Sequence, residues 1–181
     1  ASTGLRIGEA LSLTNADVDL KAGMLTIRLT KFGKSRQVPV HPSTLEALRQ
    51  YRLRRDLAGD SYGDDTAFFV GSRGRRHGLP LGGRQVHRVF EELRRQLGWP
   101  NRGSHHAARI HDLRHTFVVR RILLWQAQGV DVDQAMLSLS TYVGHAMVTN
   151  TYWYLSAVPE LMALAARRFE AYMSLEEAGD E

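Results

Sequence analysis

Apolar residues recur at helical spacing between residues 86 and 97, and this pattern constrains the fold more than any other stretch of the chain. They stand at positions i, i+3, i+4, i+7 and i+11 and comprise Val86, Val89, Phe90, Leu93 and Leu97. Arginines occupy the other side of the same segment. An apolar stripe of this width predicts an amphipathic helix that packs on a core.

Similar periodicity indicates five more helices, over residues 45–57, 111–127, 132–143, 148–155 and 158–173. Strands are indicated where apolar and polar side chains alternate. This occurs at residues 24–30 (MLTIRLT) and 36–40 (RQVPV), which predicts a β-hairpin, and residues 67–70 (AFFV) are the candidate third strand. We therefore expect an α+β fold that is mainly α-helical, with a small three-stranded antiparallel sheet.

Positive charge is concentrated in the middle of the chain. The formal net charge is +5, but residues 84–121 hold nine arginines against three acids and have a net charge of +6 by themselves. Residues 159–181 carry a net charge of −4. Arginine holds phosphate oxygens with a planar fork, so the basic centre favours a polyanion-binding face. An ordinary solvated surface could carry the same number of charges.

Several classes of protein are disfavoured by the composition. The sequence has no cysteine, so neither a disulfide framework nor a thiolate metal site can form. Its longest apolar runs are interrupted by arginine, far short of the ~20 apolar residues that span a bilayer. Nothing marks the chain for export. We expect one globular domain in the cytoplasm, with no membrane partner.

His111 and Arg114 are three residues apart on one predicted helix, where both could face a reacting group. Attack on a phosphodiester gathers negative charge on its non-bridging oxygens, so fixed cations are needed. Histidine can move a proton near neutral pH while arginine grips phosphate. His111 and His115 could instead bind zinc, but the glutamate of a His-Glu-x-x-His motif is missing.

Five pieces of the sequence, in the same order, resemble the tyrosine recombinase, or phage integrase, family. They are residues 3–11 (TGLRIGEAL), 31–40 (KFGKSRQVPV), 111–117 (HDLRHTF), 142–145 (YVGH), and a tyrosine at position 154, nine residues after His145. The resemblance covers the chain nearly end to end. Val143 departs from the family pattern, which has leucine there.

The resemblance implies an integrase-like catalytic domain in which cations hold the scissile phosphate. Arg6 and Arg114 would bind its non-bridging oxygens, and Glu9 would support that site. Further DNA contacts are expected from five basic residues. These are Lys34, Arg36, Arg84, Arg88 and Arg109.

The resemblance also implies the chemistry of strand exchange. Tyr154 would attack the phosphorus and form a 3′-phosphotyrosyl link, with Tyr152 as the rival nucleophile. His111 would assist proton transfer, His145 would donate a hydrogen bond to the phosphate, and Lys31 would protonate the departing 5′ oxygen. The enzyme would be a site-specific recombinase or integrase that needs no metal, ATP or other cofactor.

Family members usually carry helical sequence before the first arginine box and a separate DNA-clamping domain ahead of it. We therefore expect residues 1–181 to be a catalytic domain that is truncated at its N-terminus and lacks the clamping domain. The expected partner is double-stranded DNA, in a prokaryotic nucleoid. The full-length protein would form a homotetramer on DNA, whereas the isolated chain could stay monomeric. A non-catalytic DNA-binding module and a type IB topoisomerase-like enzyme remain as alternatives.

Overall fold

The computed structural model describes residues 2–28, 35–57, 62–99 and 107–157, together with positions 163 and 166. The chain divides into two compact units, Ala1–Phe117 and Val118–Glu181. Helices predominate, and the sheet is small and antiparallel, so the predicted fold class is confirmed. Within the described ranges, no helix has the length and apolar character needed to cross a membrane.

The first unit combines short helices with the sheet. Its elements are α1 (Ile7–Leu11), a 3-10 turn (Asn15–Asp17), β1 (Val18–Asp19), β2 (Met24–Ile27), β3 (Arg36–Pro39), α2 (Pro42–Asp56), a second 3-10 turn (Gly74–Arg76) and α3 (Gly83–Gln96). Helix α2 begins three residues before the predicted start, because Pro42 suits the first helical position and the His41 side chain accepts a hydrogen bond from the Ser43 N–H.

The predicted hairpin is confirmed by the pairing of β2 with β3. The strands are antiparallel, and Leu25 lies opposite Val38 while Ile27 lies opposite Arg36. Leu25, Ile27 and Val38 are buried, as the alternation of apolar and polar residues requires of a sheet with one face on the core. The pairing therefore fixes the position of Arg36, which is the first residue of β3 after the loop that joins the two strands.

The prediction of a third strand at residues 67–70 is wrong. The third strand is β1, which pairs with β2 on the side opposite β3. Residues 67–70 form only isolated bridges, and the Val70 N–H donates to the Tyr51 hydroxyl at 2.9 Å rather than to a neighbouring strand. Phe68 and Val70 are buried among side chains, including the Tyr51 ring, so an apolar run was mistaken for a strand.

Helix α3 has the predicted position but a less complete contact with the core. Val86 and Phe90 are half-buried, whereas Val89, Leu93 and Leu97 are 49–62% exposed. Phe90 makes an edge-to-face contact with Trp99, with ring centroids 6.0 Å apart. The amphipathic pattern was thus correct for the helix, but only one edge of the stripe packs against the protein.

Three further helices follow, α4 (Asp112–Ala127), α5 (Val132–Val143) and α6 (Thr149–Ala157), each close to its predicted range. The Asp131 side chain caps α5 by accepting hydrogen bonds from the N–H groups of Asp133 and Gln134. Gly144 ends the helix in the left-handed region, with φ of 71°. The predicted helix over residues 158–173 lies outside the described residues except at positions 163 and 166, which are helical.

Candidate active site

Arg6 and Glu9 are held together by the start of α1. The Glu9 carboxylate accepts hydrogen bonds from the Arg6 backbone N–H and from Arg6 Nη1, both at 3.0 Å. This is a capping arrangement, in which the third helical residue reaches back to the residue before the helix. Because Arg6 remains 40% exposed, its guanidinium is oriented by Glu9 and still accessible from solvent.

Arg36 joins the hairpin to the same carboxylate. Its Nη2 and Nη1 donate to the two oxygens of Glu9 at 2.9 and 3.3 Å, and the two side chains are only 10% and 11% exposed. From the sequence, Arg36 is expected to contact DNA, and no sequence pattern indicates this pair, which joins residues 27 positions apart. A bidentate, largely buried ion pair of this kind fixes both side chains in one geometry.

The hydrogen bonds decide the ionisation of Glu9. Burial raises the pKa of its carboxyl group, but the hydrogen bonds from Arg36 and Arg6, together with the Arg36 charge, more than compensate, so the net pKa is below its ordinary value. Glu9 is therefore ionised at neutral pH and binds both the accessible Arg6 and the largely buried Arg36.

Arg114 reaches back to the segment just before Arg6. Its side chain is buried, and Nη1 donates to the Gly4 carbonyl oxygen at 2.6 Å, across 110 residues of sequence. Gly4 has a φ of 60°, and a Cβ there would lie 2.5 Å from a ring carbon of Phe117. The structure thus brings the first and third sequence boxes into direct contact, with Gly4 permitting the close approach.

His111 and His115 lie at the start of α4 with their rings edge to face, 4.8 Å between centroids. Partial desolvation and the neighbouring Arg114 charge lower the pKa of His111, and desolvation and His111 lower the pKa of His115. A neutral imidazole at pH 7 can accept a proton. Across the described ranges, no group of three or more His, Cys, Asp or Glu side chains is placed to hold a metal ion.

The predicted DNA-contacting arginines have different surroundings. Arg84 and Arg88 are exposed on α3 and, with Arg76, line an open cavity of about 420 Å³. Arg109 is also exposed and pairs with Asp112, at 3.3 Å. Lys31 and Lys34 lie outside the described residues, so their assigned roles stay predictions.

The second unit holds His145 and Tyr154 side by side. The rings are stacked, with centroids 6.4 Å apart and planes 10° apart, and Tyr154 is 3% exposed. The His145 Nδ1 lies 2.7 Å from the Thr151 hydroxyl oxygen. Trp153 contacts the Tyr154 ring edge to face. The nine-residue spacing thus brings the ring of the predicted nucleophile close to that of the predicted histidine.

Tyr152 has a different environment from Tyr154. Tyr152 is exposed, and its hydroxyl donates a hydrogen bond to the Asp133 carboxylate at 3.4 Å. Desolvation and the negative charges of Asp133 and Asp131 raise the pKa of Tyr152. A raised pKa disfavours the phenolate form of Tyr152, which is the form that attacks phosphorus.

Comparisons with known proteins agree with the family resemblance. The model of the phage integrase family matches residues 1–160. The chain is 44% identical over 168 residues to y4rB of Sinorhizobium fredii, which is provisionally named an integrase/recombinase, covering 93% of this chain and 52% of y4rB. It is 32% identical over 160 residues to tyrosine recombinase XerC of Thermodesulfovibrio yellowstonii, covering 84% of this chain and 46% of XerC.

A solved structure gives the same result for the fold. The crystal structure of XerA recombinase superimposes with a TM-score of 0.67 and 26% sequence identity, covering 93% of this chain and 54% of XerA. The chain therefore spans about half the length of the curated relatives and the solved structure that it matches.

Proposed function

The chain belongs to the phage integrase family, and on this premise we propose that it is the catalytic domain of a tyrosine-type site-specific recombinase. The enzyme cuts one DNA strand through a 3′-phosphotyrosyl link and rejoins it to a 5′-hydroxyl. The observation that carries the proposal is the contact between Arg114 and Gly4, two residues before Arg6. It brings together two boxes that are 110 residues apart in the sequence, as a shared site would require.

Arg6, His111 and Arg114 serve the phosphate in this proposal. The five-coordinate transition state carries more negative charge than the ground state, so cations that are already oriented lower the barrier. Glu9 orients the accessible Arg6 guanidinium, and the buried Arg114 is fixed by the Gly4 carbonyl. The lowered pKa of His111 keeps its imidazole neutral at pH 7 and able to take a proton.

Tyr154 is the nucleophile and His145 its neighbour in this proposal. The phenol oxygen bonds to phosphorus, the 5′ oxygen leaves with a proton that Lys31 supplies, and the phenol proton passes to a base. Rejoining reverses these steps with a new 5′-hydroxyl, so neither metal nor ATP is consumed. Because Tyr154 is buried, we expect that DNA binding must expose its hydroxyl before attack.

Arg36 has a different role in this proposal from the DNA contact expected from the sequence. Its guanidinium is committed to Glu9, so it supports the Arg6 site and anchors the hairpin that carries Lys31. Arg84 and Arg88, with exposed guanidinium groups on α3, remain the better candidates for contacts with DNA phosphates.

The wider biology belongs to the same proposal. We propose that residues 1–181 are the catalytic part of a longer protein that acts on double-stranded DNA as a homotetramer, in the cytoplasm of a prokaryote. A separate clamping domain would bring DNA to the catalytic part, and the isolated chain would bind DNA weakly.

A nicked DNA half-site tests the proposal, because the short cleaved fragment diffuses away and traps the covalent adduct. We expect the longer protein to form a denaturation-resistant protein–DNA band that survives EDTA and disappears in Tyr154→Phe. Tyr152→Phe is the matched control and should retain the band. Loss of the band only in Tyr152→Phe would show that Tyr152, and not Tyr154, is the nucleophile. Loss of the wild-type band with EDTA would indicate metal-dependent chemistry instead.

A further inference from the structure

We propose that Thr151 is a positioning residue that fixes the tautomer of His145, so that the proton sits on Nε2. The Thr151 side chain is fully buried, and its hydroxyl oxygen lies 2.7 Å from His145 Nδ1. The catalytic consequence rests on the role proposed above for His145, whereas the tautomer itself does not.

Backbone contacts hold both ends of this hydrogen bond. Gly144, in the left-handed region, turns the chain after α5, and the His145 N–H then donates to the Ser140 carbonyl at 3.0 Å. Thr151 stands in the first turn of α6, where its N–H donates to the Val148 carbonyl at 2.7 Å. Neither side chain has to be ordered from a flexible loop, so the short contact is built into the helix–turn–helix backbone.

The buried hydroxyl decides which ring nitrogen carries the proton. In the part of the chain that the structure describes, the Thr151 hydroxyl has one hydrogen-bond partner, His145 Nδ1. If Nδ1 carried the proton, the hydroxyl oxygen would accept the hydrogen bond from Nδ1–H. The O–H of Thr151 would then have no acceptor in a buried position, which is unfavourable. The hydroxyl therefore donates to Nδ1, and neutral His145 carries its proton on Nε2.

This tautomer suits the role proposed for His145. A phosphate oxygen accepts hydrogen bonds, so the imidazole must present an N–H toward it, and the Nε2–H tautomer does so without needing a positive charge. The Tyr154 ring lies nearly parallel to the imidazole, with centroids 6.4 Å apart. Thr151 thus acts through His145 rather than on the substrate.

Nitrogen-15 NMR of the His145 ring tests the tautomer without DNA or activity. In the 181-residue chain near pH 8, we expect the chemical shifts of an Nε2–H tautomer. Thr151→Val should give a mixture of tautomers, Thr151→Ser should restore the wild-type shifts, and Thr149→Val, at an exposed position of the same helix, should leave them unchanged. An Nδ1–H tautomer in the wild-type chain would overturn the proposal, even if Thr151→Val failed to fold.

Adduct formation on the nicked half-site tests the catalytic consequence. Outer-shell partners of metal-bound histidines typically change activity by roughly 10- to 100-fold when removed. By analogy, Thr151→Val should slow adduct formation by about that factor at saturating DNA, and Thr151→Ser should recover most of the rate. An unchanged rate in a variant that has lost the tautomer would overturn the positioning role. If the wild-type protein forms no adduct, the recombinase function fails while the NMR result still stands.

Discussion

Replacing Glu9 with glutamine removes the charge that Arg6 and Arg36 share, and the structure sets the size of the effect. Breaking a buried ion pair costs about 3–5 kcal/mol because the remaining charge is left buried and unpaired. Arg36 and Glu9 are only 10% and 11% exposed, so this cost applies largely to Arg36. Arg6 is 40% exposed and contributes little through solvent-screened attraction. Because glutamine keeps one acceptor oxygen, we expect a loss of about 2–4 kcal/mol.

The same substitution should change the dependence of stability on pH. The pKa of Glu9 is lower in the folded protein than in the unfolded chain, so the folded state binds fewer protons. The stabilisation is therefore fully present above the unfolded pKa and is lost as the pH falls through the folded pKa. Glu9→Gln has no such titration, so the difference in unfolding free energy between the two proteins should shrink in acid.

Urea unfolding followed by circular dichroism measures both effects. Glu92→Gln is the matched control, because Glu92 pairs with Arg95 on the exposed face of α3 and should cause no measurable change. Glu9→Gln/Arg36→Met should be more stable than Glu9→Gln alone, since it removes the unpaired charge. A loss below about 0.5 kcal/mol in Glu9→Gln, the size of an exposed pair, would refute the argument.

Three other variants probe the remaining parts of the site. Gly4→Ala should lower the unfolding free energy by about 1–3 kcal/mol in urea, because Gly4 has φ of 60° and no room for a Cβ, whereas Gly8→Ala, with open space around it, should cause no loss. Histidine NMR should show the pKa of His115 rising toward its ordinary value in His111→Gln, because His111 helps to lower it; an unchanged pKa would contradict this. DNA affinity in filter binding should fall steeply with salt, and Arg84→Ala should reduce the logarithmic salt slope by about 1; an equal slope would remove Arg84 from the interface.

Features set by local sequence could be predicted, and features set by distant contacts could not. The ranges of α4 and α5 follow from periodicity and from the Asp131 cap, which act within a few residues. The third strand was misplaced because an apolar run such as Phe68 and its neighbours is equally compatible with packing in a loop. Local patterning does not state which surface covers an apolar residue, which is also why the exposure of Leu93 was unexpected.

The candidate site shows the same division. The box pattern predicts Arg6, Glu9 and Arg114 as site residues by residue type and order, but their contacts depend on tertiary structure. Arg36 is one of the five basic residues expected to contact DNA, and only the fold places it against Glu9. Thr151 carried no signal of its own, because a threonine in an early helical turn is ordinary until a histidine is found 2.7 Å away.

Mass spectrometry of the trapped protein–DNA adduct tests the central claim most directly. After nuclease trimming and proteolysis of the wild-type adduct formed in EDTA, fragment ions that separate Tyr152 from Tyr154 locate the residual nucleotide. We expect it on Tyr154 alone, attached through a 3′-phosphate. A nucleotide on Tyr152 or on a serine, or one attached through a 5′-phosphate, would contradict the mechanism.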